Sequence, residues 1–372
     1  MSRKSARWII AIAGLVLLLG CTDNDVLQPG GLSGAGEVVV VVTSDYVSGQ
    51  VTTLQDGGNK VSLNLLRIHN DSAVFAHGQY AYVVEKQGGD NVIKVRAEDI
   101  GPSGVVYQYS VGNGANPQEM AFVSDQKAYV TRYGATSLWI VNPSATSEPG
   151  FKLGEVDLSA YADADGLPEM CPMALAEGKL YVGCQRMDES GFPWTPLDAL
   201  VVVIDVATDQ VTGTIPLQHG NPQAMVAHGG RLYVTCTQDA FNAADGAIEV
   251  IDTATDTHAR VLVTEADLGG NVTVLAVRSP AKAYVIAGAY DANWQPQYWV
   301  YPFDPTSGAV GTPLPGASAA TSLALGTDGV LYVADRSTEQ PGVYAYDGSD
   351  SLISGPISTG LPPNALVVVG GR

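Results

Sequence analysis

A Leu/Ala-Tyr-Val step recurs six times along this chain. Its tyrosine falls at Tyr82, Tyr129, Tyr181, Tyr233, Tyr284 and Tyr332, with spacings of 47, 52, 52, 51 and 48 residues. The clearest copy spans residues 222–256, where AMVAH leads through Gly229-Gly230 into RLYVTC and IEVID follows a polar loop. THARVLVT supplies a fourth segment. Four short strands joined by tight turns cannot bury both faces alone, so the copies must stack on one another.

Six full copies start near residues 72, 118, 169, 222, 271 and 321, each divisible into strands A to D. Two pieces remain. PPNALVVVG at 362–370 has the pattern of a lone strand A, and residues 37–69 supply strands B, C and D. Joined, they make a seventh repeat from both chain ends, a closure that removes open sheet edges. The expectation is an all-β, seven-bladed β-propeller of four-stranded blades with a 3+1 join, six or eight blades being the alternative. Glu177-Gly178 and Gly229-Gly230 fit two-residue hairpin loops. Asp205, Asp252 and Asp304 close strand C before Thr, Ser or Gly, where a carboxylate caps the backbone of the turn; they read as structural.

With 46% hydrophobic residues, 42 Gly and 21 Pro in 372 positions, the composition is that of a folded, turn-rich β protein. Only 19 Lys and Arg face 38 Asp and Glu, a formal charge of −19. Such a surface repels phosphates at long range, which argues against a nucleic-acid partner.

Residues 1–20 have a basic start and an apolar run from Trp8 to Leu19, shorter than a bilayer span. The exit, Leu18-Leu19-Gly20-Cys21, resembles the lipobox of bacterial lipoproteins. That resemblance implies cleavage before Cys21 and a diacylglyceryl thioether on its sulfur, an ordinary signal peptide being the alternative. Thr22 after the cysteine, in place of Asp, favours outer-membrane sorting by the same resemblance. The expected organisation is therefore a signal peptide at 1–20, a lipidated Cys21 with a polar, Gly-rich tether to residue 35, and one propeller at 36–372. The implied partner is the membrane through its lipid anchor, and the implied location is the cell envelope.

The strand B and C segments YVTR (129–132), YVGC (181–184) and YVTC (233–236), the last two followed by VVVID and IEVID, resemble the YVTN-type β-propeller repeat family. The family's Asn is replaced by Glu85, Arg132, Cys184, Cys236, Ala287 and Asp335 in successive copies. The resemblance implies the propeller architecture and no particular activity.

If Glu177-Gly178 is a two-residue loop, Cys171 and Cys184 face each other within disulfide range, with two buried thiols as the alternative. Cys236 reads as a buried thiol, and zinc is not expected. Asp163-Ala164-Asp165-Gly166, preceded by Asp157, is a fragment of an acidic Ca²⁺ loop lacking the terminal Glu of the full motif. It leaves Ca²⁺ open as a cofactor without predicting one.

Three adjacent B–C loops are long: 185–198, 237–246 and 289–297. They carry Phe192, Trp194, Phe241 and Trp294 among Asp188, Asp239, Asp245 and Asp291. Aromatics on presented loops suit a protein, peptide or glycan ligand, unless the loops fold back to cap their own blades. No G-x-S-x-G, H-E-x-x-H or P-loop motif occurs, so no catalytic residues are assigned. His219 is a lone histidine on the same side; Arg132 and Arg186 could meet an anionic ligand, though stacking against blade neighbours suits them better. The first reading is a binding scaffold. The alternatives are a lactonase-like hydrolase or lyase with an acidic metal site at the channel mouth, and a subunit of a redox or transport complex.

Overall fold

The computed structural model describes residues 36–191 and 193–370. Seven antiparallel sheets surround a central axis, a seven-bladed β-propeller as the spacing predicts. Blade 1 is the composite: Pro363–Val369 is its inner strand and pairs with Val38–Ser44, from Val38↔Val369 to Val42↔Ala365. Gly49–Gln55 and Lys60–Ile68 complete the sheet. Blades 2 to 7 follow in chain order, with inner strands Ser72–His77, Met120–Ser124, Met170–Ala176, Pro222–His228, Asn271–Ser279 and Ala320–Leu325.

The run of five valines at 38–42 shows why the ring closes. Both faces of this strand are buried, so its pattern is continuous rather than alternating. Val38, Val40 and Val42 join residues of blade 2 in one apolar cluster, while Val39 and Val41 join blade 7 in another. Seven large clusters of this kind occur among the described residues, one at each interface between neighbouring blades. At roughly 1.5–3 kcal/mol for each large apolar side chain buried, these interfaces dominate the stability. Tyr82, Tyr129, Tyr181 and Tyr284 of the recurrent step are almost wholly buried in them.

Local chemistry sets the turns. Glu177-Gly178 and Gly229-Gly230 all have positive φ, as two-residue hairpin loops of this hand require. Asp205 Oδ1 accepts the Thr208 N–H at 2.8 Å, Asp252 Oδ1 those of Ala254 and Thr255 at 3.0 Å, and Asp304 Oδ1 that of Ser307 at 2.9 Å. These aspartates are structural, as expected.

Two expectations need correction. The segment 309–316 does not form a continuous outer strand in blade 6, whose ladder has three strands. Val310 makes one bridge to Phe303, and Gly311 and Leu314 donate to Pro302 and Val300 at 2.8 Å. Pro313 and Pro315 lack the N–H groups a ladder needs. Cys171 does not face Cys184 either. The expected register holds at Met173↔Val182 and then slips, putting Met170 opposite Cys184. Pro172 has no N–H to offer and the Met173 N–H turns to Glu119 of blade 3, so the strand bulges there. Cys184 is a free, buried thiol, and so is Cys236.

Candidate functional site

Antiparallel connectivity puts the A–B and C–D turns on one face of the ring and the B–C loops and D–A connections on the other. The long loops of blades 4, 5 and 6 therefore share a face. Phe241 and Trp294, from neighbouring blades, meet edge to face with ring centroids 6.3 Å apart. Phe241 is 50% exposed and Trp294 65%. Tyr290, at the end of its strand, backs Trp294 at 6.4 Å and Tyr298 at 6.0 Å. Trp294 keeps a left-handed backbone (φ 59°), where only a turn built around it places a large residue.

Asp291 builds that turn. Its Oδ1 accepts the N–H groups of Asn293 and Gln295 at 2.8 and 2.9 Å. Asp239 likewise accepts the Phe241 N–H at 2.9 Å, and Asp245 takes the Asn242 amide at 2.8 Å. Asp188 accepts from Ser190 N–H at 2.9 Å. These four aspartates shape the loops that carry the aromatics. Trp194 is half-buried, and the blade 4 loop folds back as a small hairpin, Met187–Asp188 against Thr195–Pro196. Phe192 and Cys21 lie outside the described residues.

Beside the Trp294 turn is a cleft of about 390 Å³, walled by Asp291, Gln295, Gln297, Ser337, Glu339 and Tyr344 among others. Its lining is rich in amides, hydroxyls and carboxylates and includes no Lys or Arg. A second cleft of about 450 Å³ lies between blades 4 and 5 and is bordered by Arg186, Asp198, His219 and Gln238.

His219 is not alone. Its Nδ1 lies 2.8 Å from Glu249 Oε1, and His258 Nε2 lies 2.8 Å from Glu249 Oε2. Burial alone would push the Glu249 carboxyl up, but His219 and the N–H groups of Gln218 and His219 hold it below its usual range. The same contact with Glu249 raises the His219 imidazole. Thirty residues separate the partners along the chain, so no local motif announces this group.

Asp163 and Asp165 are brought together with Glu169, which the motif reading missed; one oxygen from each falls within 4.8 Å of the others. Glu169 is fully buried. Burial, with Asp165 and Asp163 next, pushes its carboxyl up to about 8. Asp157 instead caps Ser159 at 2.9 Å. Arg132 is spent on structure: its guanidinium stacks over Trp139 of its own blade at 4.7 Å, and its Nε donates at 3.0 Å to the carbonyl of Val111, just after the outer strand of blade 2. Arg186 Nη1 donates to Asp198 O at 2.8 Å.

No protein-family model matches the chain, and no curated protein matches it. Solved structures do. Apo AztD from Citrobacter koseri is 14% identical with a TM-score of 0.56, over 90% of this chain and 98% of that one. Hydrazine synthase of Kuenenia stuttgartiensis is 17% identical with a TM-score of 0.53, over 74% and 75%. Virginiamycin B lyase of Staphylococcus aureus is 9% identical with a TM-score of 0.53, over 76% and 83%. At these identities the likeness is one of fold.

Proposed function

We propose that this protein is an exported, lipid-anchored binding protein of the bacterial envelope, whose propeller holds a neutral, hydroxyl-rich ligand such as a glycan on the loop face of blades 5 to 7. The observation that carries the reading is the Phe241–Trp294 pair, two exposed rings from neighbouring blades beside a cleft of polar, uncationic side chains. Aromatic faces accept the C–H face of a sugar, while amides and carboxylates take its hydroxyls. A cleft without cations in a chain of charge −19 disfavours anionic ligands. The anchor rests on the Leu-Leu-Gly-Cys21 exit of the signal-like segment, and the YVTN-type resemblance adds architecture only.

Tryptophan fluorescence titrated with neutral cello-, malto- and chito-oligosaccharides tests the ligand. Saturable quenching lost in Trp294→Ala and Phe241→Ala supports it; no response to any of them overturns it. Labelled palmitate tests the anchor, since incorporation should vanish in Cys21→Ala. A hydrolase or lyase reading draws on one observation, the His219–Glu249 pair bordering the cleft that also presents Arg186. Turnover of a lactone or glycoside panel, abolished by His219→Gln, would favour it over simple binding.

A further inference from the structure

The geometry points to a calcium-class divalent cation site formed by Asp163, Asp165 and Glu169, which ties the connection between blades 3 and 4 to the long loop of blade 4. The inference stands apart from the ligand reading above. Each carboxylate spends one oxygen on the backbone: Asp163 Oδ1 accepts Asp165 N–H at 3.0 Å, Asp165 Oδ1 accepts Leu167 N–H at 2.8 Å, and Glu169 Oε2 accepts Met187 N–H at 3.3 Å. These bonds fix the three groups in place and leave oxygens over. Glu169 Oε1 and Asp163 Oδ2 are buried and have no hydrogen-bond partner among the described residues. A fully buried carboxyl with an unmatched oxygen, facing two more carboxylates, must either keep a proton or meet a positive charge, and a cation at this point satisfies all three groups at once.

An oxygen-only set of this kind suits a hard cation rather than zinc or copper. One oxygen from each carboxylate lies within 4.8 Å of the others, close enough for a single ion to bridge them, and an irregular set completed by solvent suits Ca²⁺ better than Mg²⁺, which demands a near-ideal octahedron. Asp165 is exposed, so water can complete the coordination. Because Glu169 also holds the Met187 N–H, a bound cation would brace the hairpin that begins at Met187.

Terbium luminescence on the purified full-length protein reads the site directly. Tyr133 is buried close enough for Glu169, Glu189, Asp165 and Asp163 all to act on its phenol, which makes it the sensitiser. The expected result is a saturable Tb³⁺ signal, displaced by CaCl₂ at roughly tenfold lower concentration than by MgCl₂. At 10 mM CaCl₂ the Tm should rise by about 5 °C. Asp165→Asn, which keeps an oxygen for the Leu167 N–H at an exposed position, and Glu169→Gln should each weaken binding at least tenfold; Asp205→Asn, on the opposite face, should leave it unchanged. Absence of signal and Tm shift in the unmodified protein overturns the site, as does wild-type affinity in both Asp165→Asn and Glu169→Gln. Equal displacement by MgCl₂ overturns the calcium assignment.

Discussion

The Tyr181 hydroxyl of blade 4 donates to Asp256, in the C–D turn of blade 5, at 2.6 Å. Lys179, two residues earlier on the same strand, reaches the other oxygen of that carboxylate at 2.7 Å. The arrangement repeats. Tyr129 and Lys127 hold Asp209, and Tyr284 and Lys282 hold Asp350. All three aspartates have positive φ. A Lys-x-Tyr on the second strand of one blade thus clasps the turn of the next. In blade 6 the equivalent turn carries Gly308 at positive φ, and no such carboxylate is there for Tyr233.

Tyr181→Phe keeps the ring in its apolar cluster and removes only the phenol, so it should cost about 1–2 kcal/mol of unfolding free energy. Asp256→Ala should cost more, roughly 2–3 kcal/mol, because it removes the carboxylate from both a half-buried lysine and a phenol and leaves them only the Thr253 carbonyl to share. Guanidinium denaturation of both variants and the double mutant would show coupling; strict additivity would remove the clasp from the account of stability.

These clasps also explain how much of the fold could be read in advance. The tyrosine that marks each repeat fills an interface between blades, and Tyr129, Tyr181 and Tyr284 also reach the next turn, so its spacing records the blade repeat itself. The site was less legible. The Cys171–Cys184 opposition depended on an unbroken register, which Pro172 and the diverted Met173 N–H interrupt. Asp163 and Asp165 were visible as an acidic motif, but Glu169 became significant only through burial, which no local pattern encodes. Glu249 and His258 come together across adjacent strands of blade 5, and His219 joins them from the connection that enters that blade.

Stability should fall as pH rises from about 5 to 8 in metal-free buffer. Burial pushes the Glu119 carboxyl up to about 8 and that of Glu265 up to about 7, so the folded state holds protons that the unfolded chain, titrating near 4.5, has released. In that window the native state binds more protons, and the slope of stability against pH is negative. The exposed turn aspartates, depressed below 3.8, are ionised in both states throughout the window and add no slope. Tm measured at pH 5.5 and 8.5 should therefore drop, and Glu119→Gln with Glu265→Gln should flatten the change.

Cys184 and Cys236 should be inert in the native protein. Burial, then Glu169, pushes the Cys184 thiol up to about 12, and burial with Glu249 and Glu265 raises that of Cys236 well above its usual value. Little thiolate forms at neutral pH and no reagent reaches it. A thiol-specific reagent should label neither residue natively and both in denaturant, as peptide mapping would show; native labelling of Cys184 would contradict its burial.

Gly288 should tolerate no side chain. A methyl there would lie 1.9 Å from the Gln297 carbonyl oxygen, and one on Gly270 would lie 2.4 Å from the Gly288 Cα. Two strand backbones and the start of the third meet at this point, where Gly288 pairs with Asn271 on one side and Tyr298 on the other. The same ladder ends two residues later at Tyr290, the base of the turn that presents Trp294. Gly288→Ala must push the strands apart, so it should cost about 1–3 kcal/mol and also disturb the aromatic pair. A lowered Tm accompanied by a shift in tryptophan emission is the expected outcome. A lowered Tm with unchanged emission would mean that the turn is held by Asp291 alone.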